Sequence, residues 1–384
     1  MKKIYYITAV FATLFLVGCG DGIDLPGVNV ETDLNKIPLP DNNVNLEQVE
    51  LKPSTEPMLH EGLHTEEDFQ RIRDKKAAGE EPWVSAYQLL VESQFSQKTA
   101  DTYPTEWIKR GVSGDENYMN AARGATIAYQ QALRWKIEQD DEYAAKAVEN
   151  LNKWVQTCVG VTGNTNLSLA AGLYGYEFAI AGELLRDYEG WDRADFAAFQ
   201  NWLLKVFYPA NDDFLKRHHD TNPLHYWANW CLCNIAAKMA IGIVTDRRDI
   251  YNEGIGHLQT GDTNGRLRRA IYHDYAPDYN FAQWQESGRD QGHTLMCVGL
   301  MGIICQLAWS QGDDFFAYDD NLFMRACEYA ACCNYTNETV PYTTYIWQKQ
   351  SQWGYPIPEE QTTLGGGKWI KRAIWALPYY HYKG

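Results

Sequence analysis

From Thr65 onward the apolar residues recur almost everywhere with the 3.6-residue period of a helix, and no stretch carries a strand ladder of comparable strength. No other feature limits the fold as much. The spacing predicts helices over about 65–79, 83–92, 118–139, 143–158, 168–186, 194–207, 225–244, 249–258, 290–310, 321–333 and 369–377. The first opens on Thr65-Glu-Glu-Asp68, a capping box with Asp in place of Glu. Several are small and apolar around much of their circumference, as in Ala121 to Tyr129. A helix that is apolar nearly all round belongs inside. An inner ring of such helices wrapped by an amphipathic outer ring is an all-α (α/α) toroid, an incomplete α/α barrel, expected here as a single catalytic domain over 58–384. A superhelix of helical repeats would need a fixed period of about 34 residues, which the chain does not have.

The N-terminus sets the compartment. Lys2 and Lys3 precede an apolar run, Ile4 to Val17, that is shorter than the ~20 residues a membrane span needs. It ends in Leu16-Val17-Gly18-Cys19, which looks like a bacterial lipobox. Residues 1–18 are therefore expected to be a lipoprotein signal peptide, Cys19 the lipidated residue, and 19–57 a Pro- and Asn-containing tether. The expectation is an exported lipoprotein in the periplasm or on the outer-membrane surface of a Gram-negative bacterium. It would touch the membrane only through its lipid and act as a monomer. The eight later cysteines fall mostly inside apolar helical patterns and read as buried free thiols. None of them has the paired spacing of a zinc site.

A net charge of −16 argues against nucleic acid or an anionic membrane as partner, since either needs a basic footprint. Twenty-five Tyr and fourteen Trp exceed what packing alone usually requires, and rings that stack on flat, partly apolar faces point to carbohydrate. If that carbohydrate is acidic, the cleft must be locally positive against the overall charge.

Three polar clusters are candidates for the site. Trp284-Gln-Glu-Ser-Gly-Arg-Asp-Gln-Gly-His293 leads straight into an apolar helix. Arg289 and His293 are four apart and expected on one helical face, Gly288 and Gly292 leave room for a ligand, and Gln285 and Glu286 would line it. The alternative is a buried network in which Glu286, Arg289 and Asp290 satisfy one another. The second cluster is Asn222-Pro-Leu-His225-Tyr226-Trp227-Ala-Asn229-Trp230. If its helix begins near Asn222, then Asn222, His225 and Asn229 share a face, with Tyr226 and Trp230 on the next row; otherwise it is a helix start with a satisfied His. The third, Arg266 to Tyr275, contains Arg269 and Tyr275 and is either the local positive patch or a solvated charge run. In Arg217-His218-His219-Asp220 the adjacent histidines face different ways, so no metal site is expected.

These residue types suit one chemistry. Elimination across the C4–O4 bond of a polyuronate removes the C5 proton, α to a carboxylate, so that carboxylate must first be neutralised by Arg, Asn, Gln or protonated His. A Tyr or His then removes the proton, and a Tyr or His protonates the departing oxygen. A glycoside hydrolase would instead need two carboxylates facing each other across the bond. Neither Glu286 with Asp290 nor Glu177 with Glu183 is placed by its spacing as such a pair.

The strings His60-Glu-Gly-Leu-His-Thr-Glu-Glu-Asp68, Gly79-Glu-Glu-Pro-Trp83, Ala132-Leu-Arg-Trp135 and above all Gln283 to His293 resemble the alginate lyase superfamily of (α/α) toroids, in particular its bacteroidetal lipoproteins, over about residues 58–380. The resemblance implies a polysaccharide lyase acting on alginate or a related polyuronate such as glucuronan, with no metal or cofactor. Members of that family place an Asn-His pair ahead of Tyr-Trp on an inner helix, and an Arg followed about two turns later by Tyr on a later one. Here Tyr226-Trp227 matches, the His is His225, and Asn222 or Asn229 supplies the amide. The later pair is either Arg289 with His293 in place of Tyr, or Arg269 with Tyr275. The resemblance therefore implies that His225 and Arg289 bind or neutralise the carboxylate and that a Tyr or His293 exchanges protons. It also places Tyr174 and Tyr176 like sugar-stacking residues. The alternatives are a toroid glycoside hydrolase on a uronate-containing glycan and a non-catalytic glycan-binding surface lipoprotein.

Overall fold

The computed structural model describes residues 55–383, so the signal segment, Cys19 and the tether up to residue 54 lie outside the described residues. Four long helices form the inner wall: α3 (Tyr118–Glu138), α5 (Leu167–Leu184), α8 (Ala228–Val244) and α11 (Gln291–Ser310). α5 buries every residue after Leu167 and α8 buries its whole length, as expected of helices that are apolar all round. Each fully buried Val, Leu or Ile contributes about 1.5–3 kcal/mol. α11 is long and apolar enough to cross a membrane, but here it is a core helix.

Outside them run α4 (Asp141–Thr157), α6 (Arg193–Val206), α7 (Tyr208–Arg217), α9 (Arg248–Thr260) and α12 (Tyr318–Tyr335). α1 (Glu66–Ala77), α2 (Trp83–Glu92) and the C-terminal α13 (Ala376–Lys383) close the ring, with Trp83 stacked on Tyr380 at 6.0 Å. The capping box at α1 is present in full: the Thr65 side chain accepts the Asp68 N–H at 3.2 Å, and Asp68 accepts the Thr65 N–H at 2.9 Å.

The inner helices share a direction. Asn234 near the start of α8 donates to the Ser168 carbonyl at the start of α5, and Arg186 just past α5 donates to the Ile243 and Val244 carbonyls at the end of α8. The outer helices return the chain, so the N-termini of the inner helices gather at one end, the mouth. Residues 59–61 cross the opposite end, bonded to Gln311. Helix N-termini carry positive partial charge. The fold thus gives an acidic chain an electropositive mouth before any side chain is counted.

Several expected boundaries move. The helix expected from His225 starts at Ala228, because Pro223 keeps Asn222 out of the helical region and residues 222–225 form a turn closed by His225 N–H to Asn222 O. α7 was not expected; Pro209 sits in its first turn, where proline is tolerated. The last helix lies at Ala376–Lys383 rather than 369–377, since Trp369 adopts a left-handed conformation (φ 60°).

No strand ladder stood out in the sequence beyond a helix end or hairpin expected from Arg266 towards Gln285, yet three two-stranded sheets are present, one of them in that segment. β1 (Trp107–Arg110) pairs in parallel with β2 (Gly160–Gly163). β3 (Ile271–Asp274) pairs with β4 (Ala282–Trp284), with an irregularity between Ile271 and His273. β5 (Tyr345–Gln350) forms a hairpin with β6 (Pro356–Gln361) in the register Trp347 to Glu359. α10 (Leu267–Ala270) is a single turn ahead of β3. All eight described cysteines are buried and unbridged.

Candidate active site

The site forms where the β5–β6 hairpin lies across the mouth against the turn before α8. Asn222 is the dock: its amide donates to the Gln348 carbonyl at 2.9 Å and to Gln350 Oε1 at 3.1 Å, and its own Oδ1 accepts the Leu224 N–H. Trp347 Nε1 donates to the His225 carbonyl at 2.6 Å, and its ring stacks on His225 (5.9 Å, 12°) and on Trp227 (4.9 Å). The Gln350 backbone N–H reaches His225 Nδ1 at 2.8 Å.

That last bond fixes the chemistry of the imidazole. A backbone N–H only donates, so Nδ1 accepts and the ring proton sits on Nε2. Burial, reinforced by the Lys349 charge, pushes the His225 pKa down to about 4. At neutral pH His225 is therefore an uncharged donor at Nε2, not a base.

Next to Trp227 lies Tyr345, whose hydroxyl reaches Asn264 Oδ1 at 3.4 Å, and beside Tyr345 is Arg269. The Asn264 amide in turn holds the Leu224 and Tyr226 carbonyls, securing the His225 turn from below. Arg269 is only partly exposed, and among the described residues no acceptor hydrogen-bonds or ion-pairs with its guanidinium. Burial and the neighbouring Arg266 lower its pKa, while Tyr345 and Asp262 work weakly the other way. A buried, unpaired cation is costly unless an anion completes it.

Arg289 is differently placed. It lies over the Trp227 ring at 5.1 Å and donates to Glu286 Oε2 at 3.2 Å, so its charge is already answered. It precedes α11 rather than sharing a helical face with His293. Asp290 caps that helix, accepting the His293 N–H at 2.8 Å and contacting the ring Nδ1 at 2.5 Å. Burial would raise Asp290, but the His293 hydrogen bonds hold its carboxyl below the usual range. On the other flank, the Tyr275 hydroxyl donates to Gln283 Oε1 at 2.5 Å and lies 3.1 Å from Thr343 Oγ1. Tyr272 ties the same Gln283 and the Thr343 carbonyl. Burial raises the Tyr275 phenol.

Several sequence-derived contacts are corrected. Gln285 and Glu286 are fully buried and spent on the N-terminus of α8: Gln285 Oε1 accepts the Ala228 N–H, and Glu286 Oε1 accepts both the backbone N–H and the amide of Asn229. These bonds satisfy donors that a helix start leaves orphaned. Asn229 and Glu286 are thus structural partners, and Asn222 anchors the hairpin rather than substrate. Trp230 and Tyr226 pack against each other and Phe214 inside the wall, with 4% and 7% exposure. Tyr174 and Tyr176, expected to stack on sugar, are sealed in α5 at 0% and 2% exposure. The space left by Gly288 is taken by Tyr342 and Gln361 of the same chain, whereas Gly292 is partly exposed and faces the Asp290 carboxylate.

His225, Arg269, Arg289 and Tyr275 are thus joined along one arc of the mouth through Trp227, Trp347, Tyr345 and Tyr272. Trp347 and Gln350 escaped sequence reasoning because their segment carried no recognised pattern. The alternation of Tyr345, Trp347 and Lys349 with shorter residues was the available signal.

A ring of parallel inner helices with guanidinium, imidazole and phenol groups at its N-terminal mouth defines a toroid of the polysaccharide lyase class. The profile of the alginate lyase family matches residues 72–338. The chain belongs to the alginate lyase family and is a polysaccharide lyase. Solved structures share the fold. A variant of alginate lyase A1-III complexed with a tetrasaccharide is 14% identical, with 72% of this chain and 78% of that one covered at a TM-score of 0.56. Alginate lyase A1-III from Sphingomonas species A1 gives 13% identity, 72% and 79% coverage and a TM-score of 0.50. An alginate lyase from Bacteroides ovatus gives 15%, 71% and 82%, and 0.50. No curated protein matches the sequence.

Proposed function

We propose that this lyase cleaves alginate or a related polyuronate such as glucuronan by β-elimination, leaving a 4,5-unsaturated uronate at the new non-reducing end. The observation that carries the reading is Arg269, a half-buried guanidinium that nothing else in the described chain pairs, on the same aromatic arc of Tyr345, Trp227 and Trp347 that ends at the neutral His225. Together they grip the substrate carboxylate and stabilise charge as it develops. Tyr275, once ionised, takes the C5 proton; the released electron pair forms the C4–C5 double bond, the C4–O4 bond breaks, and the proton passes to O4. Arg289, its charge shared with Glu286, and the Trp227 and Trp347 rings line the path of the chain.

The test follows the ultraviolet absorbance of the conjugated product during incubation with alginate, glucuronan, pectate and a neutral glucan. A rise on a polyuronate and none on the glucan is expected, and Arg269→Gln should lower kcat by at least about 10²-fold with folding intact. Reducing ends without absorbance would transfer the case to a hydrolase, and binding without turnover to a glycan-binding protein. The lipobox at Cys19 supports export and lipid anchoring, which labelling of the whole chain with a radioactive fatty acid tests; a Cys19→Ala chain that still takes up label would refute it.

A further inference from the structure

We propose that Arg110 is a second carboxylate site, on the wall of the mouth formed by α3 and α5, that holds a uronate unit remote from the one being cleaved. The proposal rests on the polyuronate reading above and extends it to the length of chain the enzyme grips. Arg110 is 6% exposed, its Nη1 has no hydrogen-bond partner, and among the described residues no carboxylate pairs with it. Its guanidinium lies over the Tyr118 ring at 4.7 Å, and Tyr118 stacks on Tyr174 at 6.5 Å. Two more buried polar atoms close by are unsatisfied, the Tyr174 hydroxyl and Asn166 Oδ1. Protein interiors rarely leave one such group unpaired, and Arg110 and Asn166, beside the positive starts of α3 and α5, leave a cation and an amide oxygen without a partner on this wall.

The backbone is built to hold Arg110 there. β1 ends at Arg110, opposite Gly163 of β2, and a Cβ at Gly163 would collide with the Arg110 carbonyl. Gly111, at φ 78°, is pressed as closely by the Asn164 side chain. Both glycines let the strand carrying Arg110 lie against the start of α5. A bridge leads from this wall to the first: Ser168 of α5 contacts His219 Nε2 at 2.9 Å, and His219 packs edge-on to Tyr226, next to His225. Every sugar of a polyuronate bears a carboxylate, so a chain bound through Arg269 presents another to Arg110.

The experiment compares wild type, Arg110→Gln and Arg110→Lys on long polyuronate and on the shortest oligomer that is cleaved. Arg110→Gln is expected to raise KM for the polymer at least about tenfold, leave kcat within about twofold, and leave KM for the shortest oligomer unchanged, with Lys partly restoring the polymer KM. Because an unpaired buried charge is removed, its Tm without ligand should stay level or rise. An unchanged polymer KM would overturn the proposal, as would an equal fall in Tm for both variants, the mark of a structural arginine. If no polyuronate is cleaved, the function fails separately and the site is tested by equilibrium binding of saturated oligouronates. A tenfold loss in Arg110→Gln then supports it, whereas equal binding, or no binding by either protein, refutes it.

Discussion

His225 offers a stability measurement that tests its protonation state without any substrate. Its pKa falls from 6.5 in the unfolded chain to about 4 in the fold, because the ring is buried under the hairpin and lies near the Lys349 charge. Between those values the unfolded chain binds a proton at residue 225 and the folded chain does not, so stability is full above about pH 6.5 and declines as pH falls towards 4. Each pH unit in that window is worth about 1.4 kcal/mol, so moving from about pH 7.5 to about pH 5 should cost roughly 2 kcal/mol through this residue alone. His64, His218 and His257, also depressed by burial, add to the total, but they cancel when the same pH change is made in His225→Gln. Urea unfolding of both proteins at the two pH values measures the difference. The wild type should lose about 2 kcal/mol more than the variant. Equal pH dependence would mean that the imidazole is not held neutral, and the assignment of His225 as an Nε2–H donor would fall with it.

Other outcomes follow from the same geometry. Burial raises the Tyr275 phenol, so the rate should climb through the alkaline range as it ionises, and Tyr275→Phe should lose at least about 10²-fold; a rate already flat above neutral pH would favour His293, oriented by Asp290, as the base. Gly172→Ala should cost about 1–3 kcal/mol in denaturant unfolding, since its Cβ would come within 2.5 Å of Cys233 Sγ and 3.0 Å of the Asn234 backbone nitrogen; unchanged stability would show that α5 and α8 are less tightly packed. Glu177 is fully enclosed and burial drives its pKa well up, so its folded form keeps a proton that the unfolded chain releases above the ordinary carboxylate range. Glu177→Gln should therefore raise Tm at neutral pH and leave it unchanged in acid, and a lower neutral Tm would contradict a protonated Glu177.

What the sequence alone determined was set by local physics. The period of the apolar residues located the long inner helices, their all-round apolar surface placed them inside, and Thr65 with Asp68 fixed where α1 begins. His225, Arg269, Arg289 and Tyr275 stood out because polar groups next to apolar helices have few uses besides chemistry. Their division of labour was not legible, because it depends on partners distant in the chain. Gln350 sits 125 residues after the imidazole whose tautomer it fixes, and Glu286 sits 57 residues after Asn229, whose amide it takes. The second pairing turned an expected substrate residue into a helix cap, and the first fixed the imidazole expected at the carboxylate as a neutral Nε2–H donor. Arg110 gave no sign in sequence, since an arginine is conspicuous only once the fold has buried it and left it without a partner. Periodicity determines which face of a helix is buried, but only tertiary packing decides which charges remain unanswered, and in this protein those include Arg269 and Arg110.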